Sequence, residues 1–167
     1  MTRPLSPAIA VLTATALIVL PPIALVFKLG SAGWVMLALV ITAPLWLIGY
    51  GVQIAAAVNG YLTPRAVLRE RPAALRGLIA AWATSIAVVL VGLFLVDGGD
   101  TGPGGSTFML WTGQAGDRAA SELSSGVSSL AAFVWIAGWL WLVVEWIAAL
   151  VARRRATRAA RVPATVG

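Results

Sequence analysis

The chain has no cysteine and no histidine. Without cysteine there is no disulfide, no thiolate nucleophile and no thiolate metal ligand. Without histidine the commonest metal ligand and the commonest general base near neutral pH are missing together. Charge is also scarce, at 11% of the 167 residues, against about 25% in an ordinary soluble domain. Lys28 is the only lysine, and every other basic residue is arginine. No phosphate loop, Gly-x-Ser-x-Gly elbow, dinucleotide fingerprint or paired-histidine metal motif occurs. The chain is therefore expected to be non-catalytic, with no cofactor and no metal site.

What is present is apolar. Hydrophobic residues make up 60% of the chain, gathered into four runs at about 7–27, 33–58, 73–96 and 130–151. A helix needs roughly 20 apolar residues to cross the hydrocarbon of a bilayer. The fold expected is all-α: an integral membrane four-helix bundle. Short connections make neighbouring helices antiparallel, in up-down order. Residues 1–152 form the membrane domain, 97–129 an outer loop, and 153–167 a basic tail without fixed structure. The first run is long for a signal peptide, and no small-x-small cleavage site follows it; it is read as a span. Pro21 and Pro22 predict a kink or an early helix end. Pro44 predicts a bend at which the Val40 carbonyl loses its helical donor.

The polar segments carry finer signals. Thr63-Pro64 reads as a helix start, with Arg65 to Arg71 forming two turns on the membrane surface. Asp97-Gly-Gly-Asp100 offers two carboxylates in a glycine-rich turn. Calcium needs about 6–8 oxygen ligands, so a solvated turn is the expectation. From Asp117, a predicted cap, Ala119/Ala120, Leu123, Val127 and Leu130 recur at helical spacing, with serines on the other side.

Basic residues orient the chain. Arg3, Arg65, Arg69, Arg71, Arg76 and the tail arginines share one side of a four-span arrangement. The other side holds Lys28 and Arg118 among four of the acidic residues. Short basic loops stay cytoplasmic, which predicts both termini inside a plasma (inner) membrane. The Ala, Gly and Arg content fits a GC-rich bacterial genome. The net charge of +6 needs no nucleic acid. Arg65, Arg69, Arg71, Arg153, Arg154 and Arg155 flank apolar helices, where lipid headgroups are the natural partners.

Glu145 is the only acidic residue inside a predicted span. An ionisable group there costs about 2.5–3.5 kcal/mol on insertion scales, so it should face other helices. Gly138, Trp141, Leu142, Ala148, Ala149 and Ala152 share its stripe, and small residues permit close helix approach. Glu145 lies roughly 9 Å from the basic end of its run at 1.5 Å per residue. Gln53, Tyr50 and Thr13 match that depth in other runs. Glu145, Gln53, Tyr50, Trp141 and Thr13 are thus a candidate polar cluster. It is either a proton- or cation-binding site, a structural carboxyl paired with Arg76 or a tail arginine, or a partner contact. Phe108, Met109, Leu110 and Trp111 form an apolar island in the outer loop, expected to dock on the helices, enter the interface or meet a partner. Trp34 and Trp111 suit the outer interface, and Trp135, Trp139 and Trp146 suit packing or lipid.

The expected function is an accessory, assembly or regulatory subunit of a bacterial membrane system. The expected partners are the bilayer and another membrane protein or a second copy. The rival expectation is a small transporter or channel protomer built on Glu145.

Overall fold

A computed structural model describes residues 5–70, 73–98 and 104–160. Every regular element among them is helical, apart from one isolated bridge between Asp97 and Gly105. Four stretches are long and apolar enough to cross a membrane: Pro7–Leu29, Ala43–Leu62, Ala73–Phe94 and Arg118–Ala159.

Helix α1 (Pro7–Leu29) opens on a Ser6 cap whose side chain accepts from the Ile9 amide, with Pro7 in the first turn. It continues through Pro21 and Pro22, so the expected early end does not occur. The side chains of Tyr50 and Gln53 compensate for the lost donors there.

The second apolar run is broken, as Pro44 demands. Helix α2 (Trp34–Ile41) stops at Thr42 and α3 (Ala43–Ala57) starts with Pro44 in its first turn. Trp46 Nε1 donates to the Leu39 carbonyl at 2.8 Å, covering one acceptor at the break. The helix then overruns the predicted boundary as a π turn, Val58–Leu62, which buries Tyr61. Thr63-Pro64 starts no helix; Thr63 Oγ1 donates back to the Asn59 carbonyl. In place of two surface turns there is one short 3-10 turn, Val67–Arg69. The reason is burial: Val67 and Leu68 plug the core beside Tyr61 and pull the connector inward. Arg71 and Pro72 lie outside the described residues.

Helix α4 (Ala73–Phe94) is the central element, packed chiefly against α6 (Arg118–Ala159) and α1. Glycine sets both approaches. A Cβ on Gly92 would collide with the Ala24 backbone, and one on Gly138 would lie 2.8 Å from Thr84 Oγ1. Helix α3 rests mainly on α1, and α2 buries no residue.

Two sets of contacts define two ends. At the basic end the Leu5 amide donates to the Arg69 carbonyl and Arg153 to the Arg65 carbonyl. At the loop end α5 (Thr107–Trp111), capped by Ser106, lies against the ends of α1 and α4. Thr107 Oγ1 donates to the Phe27 carbonyl there, and Phe108 stacks on Phe94 with ring centroids 4.8 Å apart.

Helix α6 has 42 residues, about 63 Å at 1.5 Å per residue. Asp117 caps it, accepting from the Ala120 amide at 2.7 Å. The amphipathic reading of its first turns holds for buried Ala120 and exposed Ser125 and Ser129 but fails elsewhere. Ser124 and Ser128 face inward, while Leu123 and Leu130 are exposed. Ser124 bonds Ser106 at 3.2 Å, so polar caps, not leucines, dock this segment onto α5. At the other end α6 runs on to Ala159. The expected lack of structure from Arg153 therefore does not hold over 153–159, and 161–167 lie outside the described residues.

Candidate functional site

The predicted polar cluster resolves into two separate arrangements. The first surrounds Glu145. Its Oε1 accepts from Arg76 Nε at 2.9 Å and from Trp141 Nε1 at 3.3 Å. Trp141 stands one helical turn before Glu145, and Arg76 stands on α4 in the first turn above the basic end. The Glu145 side chain is 12% exposed and that of Arg76 53%. The carboxylate is thus mostly covered between α4 and α6 while its counter-ion opens outward. Long arginine stems reach toward the headgroup layer in this way and keep the charged head wet.

The second arrangement is a repair of α1. Proline at 21 removes the amide that would bond the Leu17 carbonyl, and proline at 22 removes the one for Ile18. Both are neighbours of α3. Gln53 Nε2 donates to the Leu17 carbonyl at 2.8 Å, and Tyr50 Oη donates to the Ile18 carbonyl. Tyr50 and Gln53 are three residues apart on α3, hence on one face. Two successive orphaned acceptors therefore meet two successive side-chain donors. In hydrocarbon, where water cannot serve them, such replacements are what lets a helix carry proline. Thr13 is buried and bonds its own helix, donating to the Ile9 carbonyl at 2.8 Å. Gln53, Tyr50 and Thr13 are thus bonded to backbone of α1, and not to Glu145.

A third arrangement was missed in the sequence, where Lys28 and Asp97 counted only as opposite charges on the same side. They form an ion pair at 3.2 Å with both side chains almost wholly buried. Lys28 Nζ also donates to the carbonyls of Ser31 and Leu95 and to Ser31 Oγ. Asp97 accepts from the amides of Gly33, Val35, Met36 and Gly98 at 2.9–3.3 Å. It thereby caps α2 from a distant point of the chain, satisfying amides the helix leaves free. Burial pushes the Asp97 carboxyl up, but the Val35 amide, the Lys28 ammonium and the Gly98 amide outweigh it and hold it below the usual carboxylate range. Gly33 is required by this closure, because a Cβ there would lie 2.6 Å from the Gly98 carbonyl oxygen. The solvated turn expected at Asp97 is therefore a buried latch joining α1, α2 and the end of α4. Asp100 lies outside the described residues, and no group of three metal-ligating side chains occurs among the described ones.

The apolar island docks on the helices. Met109 is fully buried, Phe108 stacks on Phe94, and Trp111 meets Phe27 edge-on at 5.5 Å. Leu110 and Trp111 remain exposed at the loop end. Arg65, Arg69, Arg153, Arg154 and Arg155 all lie at the basic end, with Arg153 tied to the connector carbonyl of Arg65. The chain matches no protein-family model, and no curated protein or solved structure is significantly similar to it.

Proposed function

We propose that this chain is a non-catalytic accessory, assembly or regulatory subunit of a bacterial plasma-membrane system. In this reading it is an up-down four-helix bundle with both termini in the cytoplasm. The observation that supports it best is the use made of the intramembrane polar groups. Glu145 is held by Arg76 and Trp141, and Gln53 and Tyr50 mend the proline gaps of α1. These side chains are committed to holding the helices together. A small transporter or channel protomer, the rival reading, requires Glu145 to exchange Arg76 for a cargo cation.

The broken second span supports a partner. Leu45 and Ile48 on α3 and Ile41 on α2 are among the most exposed large side chains of the described residues, and beyond its tethered first turn α2 buries no residue. The test is a photo-crosslinking residue placed at Leu45, with one at Leu75 on α4 as a control, in native membranes. A subunit gives one reproducible protein adduct from position 45 and not from 75. Lipid adducts alone at both positions would overturn the reading. Orientation is tested with single cysteines. Gln114 is exposed in the loop between α5 and α6 and suits such a probe. Gln114→Cys should label from outside with an impermeant reagent and Thr63→Cys should not; the reverse pattern refutes the topology.

A further inference from the structure

We propose that the basic end of α6 is a binding groove for one anionic phospholipid, its phosphate held by Arg153, Arg154 and Arg158 and its glycerol side resting on Leu150. The groove is a depression of about 370 Å³ lined by Leu150, Arg153, Arg154, Thr157 and Arg158. It exists because α6 stays helical to Ala159. Helical spacing stacks Leu150, Arg154 and Arg158 in one row, and Arg153 with Thr157 in the row beside it. Along that row the surface changes from apolar to cationic just past Val151, the end of the apolar run. This is the depth of lipid phosphates.

One wall is fixed. Arg153 donates through Nη1 to the Arg65 carbonyl, and Thr157 Oγ1 donates to the Arg153 carbonyl at 3.1 Å. Among the described residues no other bond of the Arg153 guanidinium is seen beside that one, and guanidinium forks match phosphate oxygens two at a time. No ion pair among the described residues joins Arg153, Arg154 or Arg158 to a carboxylate; Glu145, the nearest acid on α6, is taken by Arg76. The uncompensated charge calls for an anion, and the leucine floor beneath it calls for one that carries acyl chains.

The full chain in detergent is titrated with an equimolar mixture of phosphatidylglycerol and phosphatidylcholine, and bound lipid is read by native mass spectrometry. The wild type should retain phosphatidylglycerol preferentially. At about 1 kcal/mol per arginine near a charged surface, Arg154→Gln with Arg158→Gln should weaken that retention by roughly tenfold to thirtyfold. Arg155→Gln should weaken it by less than about threefold, because Arg155 is exposed but does not line the groove. Equal losses from Arg154→Gln and Arg155→Gln would show a diffuse charge effect and overturn the proposal. So would equal retention of the zwitterionic lipid, or displacement by millimolar inorganic phosphate, which would make the ligand a free anion. Helical circular dichroism checks that each variant is folded.

Discussion

The proline repair in α1 makes a quantitative prediction that can fail. Gln53→Leu removes the donor to the Leu17 carbonyl, a 2.8 Å bond between fully buried partners. Leaving a buried acceptor unsatisfied costs about 1–3 kcal/mol. Hydrogen bonds between membrane helices average nearer 0.6 and reach about 1.7 kcal/mol. Pro21 offers this carbonyl no amide, so the upper part of the membrane range applies, and a loss of about 1–2 kcal/mol is expected. The same substitution in a Pro21→Ala background should cost much less. Alanine at 21 restores the amide that a regular helix offers to Leu17, so the carbonyl keeps a donor without Gln53. The double-mutant cycle should therefore give a coupling energy of about 1 kcal/mol. The assay is reversible unfolding of the purified protein in mixed micelles with increasing sodium dodecyl sulfate, followed by circular dichroism. Tyr50→Phe with Pro22→Ala is the parallel cycle for the Ile18 carbonyl. If Gln53→Leu costs the same in both backgrounds, the glutamine does not act by replacing the proline's missing donor.

Two further predictions use the ion pairs. Glu145→Gln should cost under about 1 kcal/mol in the same assay, since the amide oxygen still accepts from Arg76 and Trp141 and the half-exposed Arg76 recovers water; Glu145→Leu should cost more, up to about 1.7 kcal/mol, by removing the acceptor that Arg76 and Trp141 share. Equal tolerance of both refutes a structural role for the carboxylate. Asp97→Asn should cost about 3 kcal/mol at neutral pH, because it leaves Lys28 buried without its counter-charge. The folded Asp97 carboxyl titrates below its unfolded value, near 3.9. Its contribution is therefore complete above about pH 4 and is lost as pH falls through the lower, folded value. A gap between wild type and Asp97→Asn that stays constant to pH 2 contradicts the pairing.

Much of the architecture could be read from the chain alone, because crossing hydrocarbon imposes a local requirement. Long apolar runs and the clustering of arginine at their ends reflect each segment's own transfer energy, which depends little on its neighbours. The break at Pro44 is equally local, since a missing amide and a ring clash act within one turn. The Asp117 cap is of the same kind. The persistence of α1 through Pro21 and Pro22 is not, because it depends on two donors more than thirty residues away.

The same division runs through the candidate site. Burial of Glu145 against other helices followed from its insertion cost, and Trp141 from its place one turn away. Matching depth is a weaker guide than matching partners: Gln53 and Tyr50 stand level with other polar groups, yet they turn to carbonyls that hydropathy cannot see. Ser124 and Ser128 in α6 looked like part of a solvated face and are buried, because Ser106 waits opposite Ser124. Lys28 and Asp97 looked like loop charges and are buried together, because α2 presents free amides to the carboxylate. Which segments are apolar enough to enter a membrane, that the second run breaks at Pro44, and which end is basic could be read along the chain, because these depend on nearest neighbours. Which donor meets which acceptor could not be read there, because those pairs join residues far apart in sequence and exist only once the helices have packed.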